Sequence, residues 1–277
     1  MSDSSLYDGV CVLCGATDQD AGSLPCPKRP EQGTLRLVEG DCGEYLDRCR
    51  EDGTRFRLVF ADPPDNLGLG YAQYKDKLPE DRYYDWLELL ILKSIAVADI
   101  VWFSYYWAHD LELSHRVRNI LRHRHPSWRA KKILWRYTFG QYTASDCGSG
   151  FRYMLRLAGP GINFDTDAIL VESERQRLGD SRAVPTGRVP DDVWDFPRVT
   201  GNSAERRAWH PTQHPEGLME RVVRLCGPYD NSRMGVCDLF SGTGTVLRVC
   251  KRHRIPAVGC EIDPTYVANT RRELGLG

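Results

Sequence analysis

The run Asp62-Pro63-Pro64-Asp65 follows directly on the apolar stretch Leu58-Val59-Phe60-Ala61. A carboxylate beside two prolines gathers hydrogen-bond acceptors without competing donors, because proline has no N–H and a fixed φ. Such a cluster suits a ligand group that donates hydrogen bonds. A second run, Asp238-Leu239-Phe240-Ser241-Gly242-Thr243-Gly244, ends another apolar stretch and turns through two glycines. The missing Cβ there lets a ligand lie close to backbone. Glu261, about twenty residues further on, closes a third apolar stretch and is placed to accept both hydroxyls of a ribose.

The elements that must position these groups read as alternating strands and helices. Leu35–Val38, Leu58–Ala61, Ile100–Phe103, Gly235–Phe240 and Ala257–Cys260 read as strands, and the unbroken apolar character of Leu58–Ala61 is that of a strand buried on both faces. Cys42–Arg50, Tyr83–Val97, Met219–Leu225, Val246–His253 and Pro264–Leu274 carry helical periodicity. The pattern predicts an α/β fold with a mostly parallel sheet. Between Gly159 and Trp209 periodicity gives way to Gly, Pro, Arg and Asp, which predicts a loop-rich insert.

With 277 residues, 41% of them hydrophobic and 27% charged, the chain is long enough to bury a sizeable core, as one large domain or a domain plus insert. No apolar stretch approaches the roughly 20 residues that span a bilayer, and the polar start has no signal-peptide character, so a cytoplasmic protein without a membrane partner is expected. Its ten cysteines are then expected to be thiols or metal ligands. Cys11 and Cys14 form a Cys-x2-Cys half-site, to which Cys26 would add a third zinc ligand; a short extension with unpaired thiols is the alternative. The net charge is −1, but His115–Arg136 contains no acidic residue. Arg122, Arg124, Lys131 and Lys132 are therefore candidate phosphate contacts, or else a solvated basic helix followed by a core strand.

Taken together, these segments resemble the S-adenosylmethionine-dependent amino-methyltransferases that act on DNA. The catalytic half precedes the cofactor half, which resembles the circularly arranged β class of that family. Two further segments match. His210-Pro211-Thr212-Gln213-His214-Pro215 is similar to the family's His-Pro-Thr-Gln-x-Pro, which wraps the cofactor carboxylate, and Gly40-Asp41-Cys42 resembles a segment whose acid sits near the adenine amino group. Thr212 and Asp41 read equally well as helix caps. The resemblance covers about residues 35–110 and 193–274 and implies a Rossmann-like fold with a seven-stranded sheet. It implies S-adenosylmethionine held by Asp41, His210, Thr212, Gln213, Asp238, Phe240, Gly242, Gly244 and Glu261. It divides the chain into an extension (1–34), a catalytic half (35–137), a target-recognition insert (138–200) and a cofactor half (201–277), working as a monomer or homodimer on DNA.

Catalysis is implied at Asp62, Pro63, Pro64 and Asp65. A base amino nitrogen is a poor nucleophile because its lone pair is delocalised into the ring, and hydrogen bonds to Asp62 and Pro63 would localise it. Asp at the first position favours adenine N6, with cytosine N4 as the alternative. The fourth position departs from the family, which places there an aromatic that stacks on the extruded base; a carboxylate cannot stack. Tyr71, Tyr74 or Trp102 would have to supply the ring, with Tyr71 leading because the loop 66–70 can fold back over the pocket. An RNA or protein amino-methyltransferase and a catalytically silent DNA-binding relative are the competing readings.

Overall fold

The computed structural model describes residues 33–71, 76–141, 143–229 and 233–276. Strand β1 (Leu35–Glu39) leads into α1 (Cys42–Glu51), whose first turn is capped by the Asp41 carboxylate on the Glu44 amide. Strand β2 (Phe56–Ala61) delivers the Asp-Pro-Pro run, and α2 (Glu80–Val97) brings the chain back to β3 (Ala98–Tyr105). Helix α3 (Asp110–His123), β4 (Arg129–Gln141) and β5 (Ser149–Ala158) follow, then a long excursion carrying the single turn α4 (Glu174–Arg177) and the short β6 (Val193–Asp195). The chain closes with α5 (Glu216–Leu225), β7 (Met234–Asp238), α6 (Thr245–Arg252), β8 (Ala257–Glu261) and α7 (Pro264–Leu274).

The strands form one sheet in the order β1-β8-β7-β2-β3-β5-β4-β6. Its pairings are parallel except at β3–β5 and β5–β4. Helices cover both faces: α1, α2 and α3 pack one core through Leu46, Leu87, Ile91 and Leu113, and α5, α6 and α7 pack the other through Leu218, Val222, Leu247 and Val267. Strands β2 and β3, sandwiched between these layers, are buried almost throughout, which is why their sequence is apolar without alternation.

Two expectations are corrected. Among the described residues the sheet has eight strands rather than seven, the extra one being β6, three residues long and too short to leave a periodic signal. The segment assigned to an insert at 138–200 starts inside β4 and contains β5, a strand paired directly with β3. Arg152 and Arg156 interrupt the apolar pattern of β5, so it does not read as a buried strand. The loop-rich part begins after Ala158, as the loss of periodicity from Gly159 indicates.

Strand order reverses between β7 and β2: from β7 the chain moves to β8 on one side, and from β2 to β3 on the other. Such a switch point opens a crevice at the carboxyl ends of the strands. Phe60 lies in register with Asp238, so Asp62 emerges level with the start of the glycine turn. The fold thus brings together two runs 176 positions apart in the chain (238 − 62).

Candidate active site

The crevice is lined from both halves, by Asp62, Pro64 and Tyr71 on one side and Asp238, Gly242 and Glu261 on the other, with His210 and Thr212 crossing its rim. It encloses about 1090 Å³ of atom-free space including its mouth.

On the β7–β8 side, the turn after Phe240 needs glycine for two reasons. Gly242 and Gly244 have φ of +47° and +73°, and a Cβ on Gly244 would lie 2.6 Å from Thr270 Cγ2. A Cβ on Gly242 would meet the His210 ring at 3.0 Å, so this glycine accommodates His210. The Glu261 carboxylate accepts the amides of Gly242 (2.8 Å) and Asp263 (3.0 Å), tying the turn to the end of β8. Asp263 caps α7 through Oδ1, while its Oδ2 and the Ser241 hydroxyl are buried without a hydrogen-bond partner among the described residues. Trp86 and Phe240 meet edge to face at 6.0 Å on the same wall. Burial pushes the Asp238 carboxyl up to about 8, opposed by the Phe240 amide and reinforced by Asp62 and Glu261. Burial likewise raises Glu261 and lowers His210.

Orphaned polar atoms, a paired carboxylate at a strand end and an apolar wall fit a ligand that carries a ribose, an aromatic ring and a charged tail. Of the residues assigned to the cofactor from sequence, all but Gly244 line this crevice; Gly244 lies in the turn and faces Thr270 of α7. Asp41 both caps α1 and lines the crevice. Gln213 spends its side-chain amide on the loop itself, accepting from the Arg207 amide and donating to the Glu205 carbonyl.

On the β2–β3 side, Asp62 is held at both oxygens. Oδ1 accepts from Arg152 Nη2 at 2.8 Å and Oδ2 faces His214 Nδ1 at 3.3 Å. Arg152, from β5, also forms a two-point pair with Asp65 (2.5 and 2.9 Å) and donates from Nε to the Ser104 hydroxyl at 2.7 Å. Asp65 also accepts the Tyr106 amide. Burial alone would raise the Asp62 carboxyl, but the neighbouring His214 ring, the Arg152 charge and hydrogen bonds from Ser104 and Arg152 hold it below the ordinary carboxylate range. The Pro64 carbonyl is taken by the Tyr83 hydroxyl, whereas that of buried Pro63 accepts no hydrogen bond among the described residues.

The N6/N4 DNA methylase family model matches residues 56–272. The chain belongs to that family. The methylase is 30% identical to the DNA adenine methyltransferase YhdJ of Escherichia coli K12 over 265 residues, covering 90% of this chain and 86% of the relative. It shares its fold with the M1.HpyAVI–SAM complex (TM-score 0.61, 14% identity, 88% of this chain and 100% of that one). PvuII DNA methyltransferase, a cytosine-N4-specific enzyme, is equally similar (TM-score 0.61, 14% identity, 89% of each chain). The methylase is therefore an S-adenosylmethionine-dependent DNA amino-methyltransferase.

Sequence reasoning missed three residues that organise the methylase's site. Arg152 and His214 sit far from Asp62 in the chain and carry no motif that ties them to it. Asp76, 2% exposed, accepts the amides of Asn66, Leu67 and Leu69 and fixes the loop after the Asp-Pro-Pro run. A lone carboxylate seven to ten residues after the amides it accepts gives no sequence signal.

Other expectations shift. Trp102 is fully buried against Trp194 at 5.5 Å and cannot reach a base, and Tyr74 lies outside the described residues, as do Cys11, Cys14 and Cys26. Among the described residues no group of three metal-ligating side chains converges. Tyr71 lines the crevice, hydrogen-bonded to Thr212 and 6.3 Å from His210. The basic segment points elsewhere. Lys132 Nζ is spent on Asp110 and Ser114, and Lys131 pairs with Asp192. Arg129 is level with Ala158 and hence with Ile100, five residues before Tyr105, roughly 17 Å below the catalytic end of the sheet at 3.3 Å per residue. Arg122 and Arg124 are exposed at that same far end. The reading of a solvated basic helix followed by a core strand is the one the geometry favours.

Proposed function

We propose that the methylase transfers a methyl group to adenine N6 of a base extruded from DNA, with Asp62 and the Pro63 carbonyl as acceptors for its amino group. The observation that carries this reading is Asp62 itself. It is ionised, fixed at both oxygens, and stands at the switch point beside a crevice shaped for a nucleoside-bearing ligand. S-adenosylmethionine bound there supplies an electrophilic methyl on a sulfonium. The chain's own residues then localise the amino lone pair: the Asp62 carboxylate keeps a lone pair for an N–H beyond those its partners take, and Pro63 offers a carbonyl that accepts no hydrogen bond among the described residues. No strong base is needed, because the proton leaves after the nitrogen has become acidic. Asp at the first position and the similarity to an adenine methyltransferase support N6 over N4.

Asp65 has no stacking role in this reading. It neutralises Arg152, and Tyr71 remains the aromatic nearest the loop. DNA would approach the carboxyl ends of the strands, bordered by the excursion after β5, which rejoins the sheet at β6 beside Leu134–Arg136 and is proposed to read the target sequence. Incubation with S-adenosylmethionine and mixed duplex DNA, digestion to nucleosides and mass spectrometry tests the reading. N6-methyladenine is expected; N4-methylcytosine would overturn the base assignment, and no methylated nucleoside would mark a silent DNA-binding relative.

A further inference from the structure

His214 occupies the variable position of the His-Pro-Thr-Gln-x-Pro segment, and its ring is the least explained group at the catalytic end. It is largely buried, packed edge-on to Phe60 (5.8 Å between centroids) and against Trp135 (5.2 Å). Nδ1 faces Asp62 Oδ2 at 3.3 Å, and Nε2 faces the Ser104 hydroxyl at 3.5 Å. The charged groups turned toward it are Asp62 and Asp65 after β2 and Arg152 on β5; β3 and β4 contribute the uncharged Ser104 and Trp135.

Because Asp62 is a carboxylate, Nδ1 must carry a proton to lie against it. Nε2 then meets the Ser104 hydroxyl, whose oxygen already accepts from Arg152 Nε and whose single proton is shared between Asp62 and Nε2. A second proton, on Nε2, would make the ring a second cation beside the Arg152 guanidinium, in a pocket walled by the Phe60 and Trp135 rings. Both cations would also stand close to a nitrogen that becomes positive as the methyl arrives, and that is unfavourable in a site already receiving a sulfonium.

Resting on the methyl-transfer reading above, we propose that His214 is a positioning residue for Asp62 that works only as the neutral imidazole, so that protonation of His214, before that of Asp62, stops methyl transfer on the acid side. Burial lowers the His214 pKa from its ordinary value against the opposing pull of Asp62, consistent with a neutral ring at physiological pH.

The test combines two readouts on the full chain. Single-turnover methylation of duplex DNA is followed from pH 5 to 9 for the wild type and His214→Asn, whose amide keeps an N–H donor but cannot titrate. In parallel, the His214 ring is titrated by NMR in the wild type and in Asp62→Asn, without DNA. The wild-type rate should fall on the acid side with the ionisation seen for the His214 ring. His214→Asn should be slower by about tenfold at pH 8, as expected for a distorted acceptor, while its acid limb moves down by about one pH unit or more. Loss of the Asp62 charge should lower the ring's pKa. An acid limb unchanged in His214→Asn, or a ring whose titration ignores Asp62, overturns the proposal. A merely structural role for His214 would lower the melting temperature and leave the acid limb in place. A wild type that methylates no DNA would sink the methyl-transfer reading instead, and the ring titration would still decide whether His214 and Asp62 are coupled.

Discussion

Asp62 and Asp238 leave neighbouring strand ends of the same crevice, and the structure drives them to opposite states. Asp62 stands between a guanidinium and an imidazole and stays ionised below the ordinary range. Asp238, 2% exposed, receives a single amide at 3.4 Å, and burial lifts it to about 8, so it is a carboxylic acid at neutral pH. Asp62 keeps 23% of its side chain exposed, and its charged and hydrogen-bonding partners supply the rest of the difference. The Asp62 side of the crevice is preset with charge, and the Asp238 side is kept short of it. A cationic ligand arriving beside Asp238, Glu261 and Asp62 would supply the missing countercharge.

The contrast breaks most severely at Arg152. Arg152→Ala would leave Asp62 and Asp65 buried together without a cation, and a buried pair stripped of one partner costs roughly 3–5 kcal/mol. Chemical denaturation should show a loss of that order, with methylation falling below detection. A variant of wild-type stability would mean that the clamp does not hold the two aspartates.

The two carboxylates should also tilt stability in opposite directions with pH. Asp62, depressed in the fold, contributes stability that is present above about pH 3.8 and lost as pH falls through its folded value. Asp238, raised in the fold, contributes stability that is present below about pH 3.8 and lost as pH rises toward about 8. Asp238→Asn should therefore raise the melting temperature of the ligand-free protein, by more at pH 9 than at pH 5. A shift equal at both values would show that Asp238 is ionised throughout.

A smaller effect is expected at Tyr71. Stacking of a base on an aromatic ring is worth roughly 1–3 kcal/mol, so Tyr71→Ala should lose up to about a hundredfold in kcat/KM for DNA, with Tyr71→Phe keeping most of it. If the ring only packs beneath its loop, the melting temperature of Tyr71→Ala will fall in step with its activity.

The glycine-turn side of the crevice was far more legible in the sequence than the Asp62 side. A strand, a glycine turn and a carboxylate closing the next strand are local patterns, and Asp238, Gly242 and Glu261 line one crevice while Gly244 faces Thr270. Asp62 was equally visible, but its setting was not. Arg152 comes from β5, an antiparallel strand whose two arginines hide its periodicity, and reaches Asp62 only because β5 pairs with β3. Asp65 looked like a lost aromatic because its partner lies 87 residues away. Charge patterning misled at His115–Arg136, where composition suggested a phosphate-facing surface while register carried Arg122 and Arg124 to the far end of the sheet and Asp110 neutralised Lys132.

The most direct test of the account is Asp62→Ala, measured by single-turnover methylation of duplex DNA with calorimetry of S-adenosylmethionine binding on the same preparation. Loss of an acceptor that acts in the transition state predicts turnover reduced by about a hundredfold or more, with cofactor affinity within roughly threefold of wild type. Near-normal turnover, or a loss explained by failed cofactor binding, would contradict it.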